Sequence, residues 1–417
     1  MKEQVIMVGC RLNDQSVSSF HMSMDELKAL VHTANGDIVD ELVQVRERPD
    51  PATYIGKGKL QELSEAAAEK QADLIVFNDE LSAGQVKNID EYVNVRVIDR
   101  TQLILDIFAA RAHTKEGKIQ VELAQLMYLL PRLSGQGQVL SRLGGGIGTR
   151  GPGETKLETD RRHIQRRMDD LKKQLKDIQA HRESYRKNRQ KNKVVQFALV
   201  GYTNAGKSTL LHQLTNADTF QEDLLFATLD PLTRQAELPS GYPILLTDTV
   251  GFIRDLPTTL IAAFRSTLEE VKEADVLLHV VDASHPEAEE QMETVDKLLM
   301  DLNAHMIPSI TIFNKIDQAD TSSVYIKNDA PSITMSAFRE EDVEDLLHLM
   351  EKTLQDQMKY FQVEIPAEDG KSIADLKRFA MITEEKVKEN DSQFLYKGFV
   401  LKEHPIHRVL KQYRAMM

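Results

Sequence analysis

A single cysteine, Cys10, among 417 residues excludes a disulfide framework within one chain, and with it any cysteine-based zinc or iron–sulfur site. Such scarcity fits a reducing, cytoplasmic compartment. No apolar run approaches the roughly 18 residues of a membrane span, so no integral membrane insertion is expected. The polar start Met1-Lys2-Glu3-Gln4 is unlike a signal peptide. The histidines lack metal-ligand spacing, and His163, His181, His279 and His285 read as structural or surface residues. Internal repeats at solenoid periods are missing too. What remains is an ordinary stock for building cores, 41% hydrophobic beside 28% charged, which excludes wholesale disorder.

The net charge of −13 argues against a nucleic-acid partner only if it is evenly spread, and it is not. Residues 140–193 carry 16 basic and 7 acidic side chains, a net +9, whereas 194–355 carry 10 and 27, a net −17. The flanking segments 1–139 and 356–417 stand at −6 and +1. Glycine is equally uneven, with eight of the 20 lying between positions 135 and 153. A loop of that length and composition inside a folded chain is functional or disordered.

Length alone suggests about three domains; the patterning suggests four. In 1–112, strand-like Val5–Val8, Ile38–Val45, Leu74–Phe77 and Val95–Ile98 alternate with helix-like 23–34, 58–71 and 82–92, and a further helix from Arg100 to Ala112. This predicts an α/β domain with a largely parallel sheet. Segment 113–193 reads as a basic helical hairpin with a Gly-rich tip at 134–153. Leu157, Ile164, Met168, Leu171, Leu175 and Ile178 form a stripe that would meet Ile119, Leu123, Leu126 and Leu130. Segment 194–355 returns to a βαβ pattern, predicting a mostly parallel sheet with helices on both faces. Residues 356–417, with strand-like Phe361–Ile365 and Phe394–Leu401, read as a small α/β domain.

Chemistry concentrates after Val194. The apolar strand Val195–Val200 runs into Gly201-Tyr202-Thr203-Asn204-Ala205-Gly206-Lys207-Ser208, and a helix-like stretch starts at Thr209. This is the strand–loop–helix setting of a phosphate-binding loop. Its glycines let backbone N–H groups close on a β-phosphate, Lys207 bridges β- and γ-phosphates, and the Ser208 hydroxyl is a Mg²⁺ ligand. A second strand, Ile244–Thr247, ends in Asp248-Thr249-Val250-Gly251, where Asp248 would hold Mg²⁺ through water and Gly251 would offer its N–H to the γ-phosphate. Between them lies Phe226-Ala227-Thr228-Leu229-Asp230, where Thr228 is the candidate switch threonine for Mg²⁺ and γ-phosphate. Strand Thr311–Phe313 ends in Asn314-Lys315-Ile316-Asp317, whose Asp317 can accept from the N1–H and exocyclic amine of guanine, a donor pair that adenine lacks. The Lys315 stem would pack on the base, with Asn314 bracing the loop. Ile333-Thr334-Met335-Ser336-Ala337, followed by Phe338, supplies a fifth element, in which the Ala337 N–H would meet guanine O6. Five short elements in this order predict a GTPase that uses GTP and Mg²⁺.

Two positions depart from the common pattern. Phe252 stands where many GTPases carry a glutamine that orients the attacking water, which predicts slow intrinsic hydrolysis stimulated by a partner. Asn204 matches an asparagine that ligates K⁺ in some GTPases; a loop-bracing hydrogen bond is the alternative. In the first domain, Gly56-Lys57-Gly58-Lys59 is either an anion site at a helix start or a turn with surface lysines. Asp79 and Asp99 follow strands, as ligand residues or as helix caps.

The whole chain resembles the HflX family of translational GTPases. The carriers are the Gly56–Lys59 turn, the Phe226–Asp230 and Asp248–Phe252 strings, and above all Arg142-Leu143-Gly144-Gly145-Gly146-Ile147-Gly148-Thr149-Arg150-Gly151-Pro152-Gly153-Glu154-Thr155-Lys156-Leu157-Glu158-Thr159-Asp160-Arg161-Arg162. The resemblance implies a factor that binds the large ribosomal subunit, including ribosomal RNA, and splits stalled or idle ribosomes under stress, monomeric off the ribosome. It also implies that the Gly-rich tip reaches towards the peptidyl-transferase centre. The basic hairpin agrees in kind, because Arg and Lys attract phosphate and glycines allow close approach to bases; Arg142 and Arg150 would act on the tip, and Arg161, Arg162, Arg166 and Arg167 along the helix. The competing readings are a ribosome-binding module whose nucleotide is structural, and an ATP-driven RNA remodeller with a second nucleotide site near Gly56–Lys59.

Overall fold

A computed structural model of the chain describes residues 2–133, 152–192, 194–215, 225–226, 228–254, 271–319, 331–387 and 393–414. They fall into two compact units. The first comprises Met1–His181 with Glu222–Asp230 and Ile253–Ser266; the second comprises Arg182–Gln221, Pro231–Phe252 and Thr267–Met417.

In the first unit, β1 (Gln4–Leu12), β2 (Asp37–Arg46), β3 (Leu74–Phe77) and β4 (Arg96–Asp99) form a parallel sheet in the order β2-β1-β3-β4. Val5 to Val8 and Leu74 to Phe77 are buried along their whole length, as unbroken apolar runs must be when helices cover both faces. The helices are α1 (Val17–Thr33), α2 (Lys57–Glu69), α3 (Ala83–Val93) and α4 (Arg100–Arg111). Ser82 and Gln85 form a reciprocal capping box on α3. Asp99 caps α4 by accepting from Gln102 N, and also accepts from Leu81 N and Arg132 Nη2, so it is a fully buried cap. The basic turn is the start of α2: Gly56 N–H donates to Gln44 Oε1 at 2.8 Å, and Lys59 pairs with Glu62. Burial and the neighbouring Asp79 carboxylate hold the Tyr54 hydroxyl protonated far above its ordinary range.

Two further helices, α5 (Lys115–Leu133) and α6 (Pro152–Asn192), make the hairpin. Ile119, Leu123, Leu126 and Leu130 share one cluster with Ile164, Met168, Leu171, Leu175 and Ile178, as the stripes require. Arg167 forks onto Glu122, Nε to Oε1 at 2.6 Å and Nη2 to Oε2 at 2.8 Å, so this arginine fastens the hairpin. At the far end of α5, the Arg132 guanidinium lies 3.4 Å from the Tyr128 ring centre and donates to Leu81 O. The tip, with Arg142 and Arg150, and the Leu157 side chain lie outside the described residues.

The segment around Thr228 folds with this first unit. Phe226 meets Phe108 edge-to-face at 4.6 Å between centroids, and Leu225 N–H donates to Thr33 Oγ1. Asp230 sits over the start of α5: its Oδ2 accepts from His113 N at 3.0 Å and Thr114 N at 2.9 Å, while the Thr114 hydroxyl donates to Oδ1. Thr114 Oγ1 in turn accepts from Gly117 N. A Cβ on Gly117 would come within 2.3 Å of Asp230 Oδ1, which is why the helix carries a glycine there. Arg254 likewise reaches Ser19 Oγ within this unit, at 3.2 Å.

The second unit holds a six-stranded sheet in the order β10-β9-β8-β5-β7-β6. Its members are β5 (Val195–Gly201), β6 (Leu232–Glu237), β7 (Pro243–Asp248), β8 (Val276–Asp282), β9 (Ser309–Asn314) and β10 (Ser332–Thr334). All neighbours run parallel except β6 against β7. Phe197, Leu199, Ile244, Leu246, Leu278, Ile310 and Ile312 are fully buried, each contributing about 1.5–3 kcal/mol by leaving water. Its helices are α7 (Lys207–Thr215), α8 (Ala288–Asp301) and α9 (Glu340–Gln357). The chain passes from α9 directly into β11 (Met358–Pro366), which joins β13 (Gln393–Leu401) and β12 (Met381–Val387) in an antiparallel sheet, with α10 (Gly370–Phe379) and α11 (His407–Arg414). This part has its own core around Phe361, Tyr396 and Leu410, yet Met358 and Met381 belong to the core of the larger sheet.

Replacing Asp230 by alanine should cost about 1 kcal/mol, as losing a helix-start acceptor does. Hydrogen exchange at His113–Gly117 should quicken with it. Unchanged exchange there would show that the carboxylate restrains nothing.

Candidate nucleotide site

Because β5, β7, β8 and β9 are parallel, Gly201, Asp248, Asp282 and Asn314 all arrive at the same edge of the sheet, where open α/β sheets gather their ligand residues. The loop from Gly201 to Gly206 turns there into α7. Lys207 lies inside the turn, 6% exposed, with Nζ donating to Gly201 O at 3.1 Å and Tyr202 O at 2.7 Å. Burial pulls its pKa down to about 8, against the opposing pull of the Asp248 charge. Asn204 has a left-handed φ of 61° and is exposed at the outer bend. Thr203 and Ala205 are buried, and Tyr202 and Thr209 half-buried.

Asn314 connects three of the predicted elements. Its Nδ2 donates to Ala205 O in the phosphate loop, and its Oδ1 accepts from Ala337 N, both at 3.0 Å. Gly206 has a φ of 94°, and a Cβ there would lie 2.3 Å from Asn314 Nδ2, so glycine is required on both counts. Ile316 N–H donates to Met335 O, joining the fourth and fifth elements again. Asp317 is exposed, with its carboxyl held below the usual range chiefly by a hydrogen bond from Ser336. Phe338 is 68% exposed beside it in sequence.

Ser208 Oγ donates to Asp248 Oδ2 at 2.8 Å. A hydroxyl and a carboxylate this close form an all-oxygen pair that suits a hard divalent cation. Thr249 is fully buried, with its hydroxyl on Leu199 O at 2.6 Å, and Val250 is buried beside it in sequence. A Cβ on Gly251 would lie 3.0 Å from Lys207 Nζ, so the third element closes on the same ammonium. Phe252 follows with its side chain 1% exposed, while its N–H donates to Gly201 O and its C=O accepts from Thr203 N. The residue in the glutamine position is therefore a backbone brace for the phosphate loop.

Of the Phe226–Asp230 string, Phe226, Leu229 and Asp230 belong to the first unit, and Thr228 is half-buried there; Ala227 lies outside the described residues. Asp282 belongs to no recognised motif, and its Oδ2 lies 2.7 Å from Lys315 Nζ. The only signal in the sequence was its place directly after the apolar run Val276–Val281.

Comparison with known proteins finds relatives over most of the chain. Residues 21–109, 111–189 and 196–315 match, in turn, families described as GTP-binding GTPase N-terminal, GTP-binding GTPase Middle Region and 50S ribosome-binding GTPase. The chain is 54% identical over 411 residues to a protein named GTPase HflX of Alkalihalophilus pseudofirmus, covering 98% of this chain and 96% of the relative. It is 39% identical to the GTPase HflX of Escherichia coli, covering 88% of each chain. Among solved structures, a GTP-binding protein from Sulfolobus solfataricus in complex with GDP is 23% identical, with a TM-score of 0.46 over 85% of this chain and 99% of that one. No described helix is long and apolar enough to cross a membrane.

The depressed Lys207 pKa has a measurable consequence. Between about pH 8 and 10.5 the unfolded chain keeps a proton that the folded, nucleotide-free site gives up, so this group's contribution to stability rises with pH across that window. A bound polyphosphate reverses the preference and restores the ammonium. Calorimetry at about pH 8.5 in buffers of different ionisation heat should therefore show proton uptake on nucleotide binding, lost in Lys207→Met. Equal heats in all buffers for the unmodified protein would contradict a buried, partly neutral Lys207.

Proposed function

The chain belongs to the HflX family of GTPases, and from that premise we propose that it is a GTP-driven switch that binds the large ribosomal subunit and splits stalled or idle ribosomes into subunits. The observation that carries the ribosome reading is the basic face of α6: Arg161, Arg162 and Arg166 are exposed, in a segment of net charge +9 beside the Gly-rich tip. The family description of residues 196–315 as a 50S ribosome-binding GTPase supports the same partner. The division of labour assigns 1–112 and the 113–193 arm to ribosome contact, and 194–355 to nucleotide.

Within the nucleotide site, Lys207 holds the β- and γ-phosphates, and backbone N–H groups of Gly201 to Ser208 surround them. Ser208, Asp248 and Thr228 would hold Mg²⁺, and the ion would supply positive charge to offset that of the phosphates. Asn204 offers K⁺ a place at the loop's outer bend. Asp317 reads the guanine edge, with Lys315, Ala337 and Phe338 around the base. GTP draws Thr228 and the Gly251 N–H onto the γ-phosphate, giving the conformer that binds the ribosome, and hydrolysis releases both. Phe252 offers the attacking water only an apolar ring, and that ring is buried. Intrinsic turnover is accordingly slow and is raised by the large subunit. An ATP site at Gly56–Lys59 gains no support, since Gln44 and Glu62 already engage Gly56 and Lys59.

Sucrose-gradient sedimentation of intact ribosomes with this protein should show subunits with GTP or a non-hydrolysable analogue and intact particles with GDP. Identical profiles in all three would count against the switch. Charge removal at Arg161 and Arg166 should weaken subunit binding and flatten its salt dependence by about 0.7–0.9 in slope per lost phosphate contact. Arg167 belongs outside that test, because Glu122 already holds it in the hairpin.

A further inference from the structure

The nucleotide-site reading leaves one charged contact without a role. Lys315 directly follows the last residue of β9, and Asp282 is the last residue of β8; the parallel register pairs Asp282 with Asn314, so the two side chains leave adjacent strand ends. Ala283 N–H donates to Asn314 O at 2.8 Å, which welds the two loops together beyond the sheet. Lys315 adopts a left-handed φ of 61°, a costly backbone for a side chain of this size unless neighbours hold it there. Its ammonium lies 2.7 Å from Asp282 Oδ2, with the two side chains 21% and 14% exposed. The other oxygen of the same carboxylate accepts from Ser284 N at 3.0 Å and from the Ser284 hydroxyl. The acceptor is thus fixed on one side by its own turn and free to grip the lysine on the other.

We propose that Asp282 is a positioning residue for purine recognition: clamped by Ser284, its carboxylate anchors the Lys315 ammonium and so presents the lysine's methylene stem as a platform for the base. The inference rests on the reading of 201–208, 314–317 and 336–338 as a guanine-nucleotide site. An ion pair on an open surface contributes little, because two long side chains must be ordered against water. Here the acceptor is pre-ordered and both partners are mostly buried, so the pair can fix the direction of the stem. Asp317 reads the edge of the ring; Asp282, through Lys315, supports its face. The two acids therefore separate in what they discriminate. Loss of Asp282 weakens every purine nucleotide alike, whereas loss of Asp317 changes which purine is chosen.

The test measures dissociation constants for GDP, GTP and ITP, with turnover at saturating GTP, in the full chain. Asp282→Asn keeps the acceptor for Ser284 and removes the charge. It should weaken all three nucleotides by one common factor, about three- to tenfold, with turnover at saturation unchanged. Lys315→Met should weaken them similarly, and the double variant should bind no worse than Lys315→Met alone. A purely structural role for Asp282 predicts instead that the two losses multiply, and that result overturns the proposal, as does wild-type affinity in Asp282→Asn. If Asp282→Asn does not fold, Ser284→Ala asks the same question: it should weaken binding only while Lys315 is present, and an equal loss in the Lys315→Met background overturns the proposal. Failure of the underlying site reading looks different: the unmodified protein would not bind guanine nucleotides, or Asp317→Asn would not shift preference from guanosine to xanthosine nucleotides.

Discussion

The side-chain amide of Asn314, 2% exposed, holds three separate stretches of the second unit at one edge of its sheet. Its NH₂ fixes Ala205 in the phosphate loop and its oxygen fixes Ala337, so the phosphate end and the base end are braced from one side chain. A side chain at position 206 would collide with the amide nitrogen, and Gly206 also has a positive φ. A polyphosphate needs many N–H groups at fixed positions, and a buried amide with both ends satisfied is a stiff way to supply them. The parallel strands do the rest: Gly201, Asp248, Asp282 and Asn314 arrive together because their strands end together.

A second brace comes from Phe252. Its ring is buried, and its backbone ties the Asp248–Gly251 element to Gly201 and Thr203. The position that elsewhere orients water is here a buried phenylalanine, which supports the proposed slow intrinsic hydrolysis. The segment bearing Thr228 is committed differently, because Phe226 and Asp230 fold onto Phe108 and Thr114 in the first unit.

Much of this was legible in the sequence where function demands contiguous residues. The phosphate loop, the Asp248 string and Asn314–Asp317 each combine an apolar strand with a short polar run, and each strand was found where the apolar run lies. The hairpin stripe was equally readable, since a helix repeats its apolar face locally. Contacts between distant residues were not readable: Asp230 and His113 are 117 positions apart, and no periodicity announces their hydrogen bond. Asp282 was missed because a lone acid after a strand usually caps a helix, as Asp99 does. Nothing in the sequence separates Arg167 from the neighbouring arginines, because the Glu122 that holds it lies 45 positions away. The segment 356–417 read as separate because its elements are short, yet Met358 and Met381 close the core of the neighbouring sheet.

The central claim is that a basic arm and a slow, braced nucleotide site work as one ribosome-dependent GTPase. It is tested most directly by GTP turnover of the full chain with purified large subunits, small subunits or neither. The account predicts slow turnover alone, strong stimulation by large subunits only, and loss of that stimulation when Arg161 and Arg166 are neutralised. Turnover that is fast without ribosomes, or indifferent to large subunits, would contradict it.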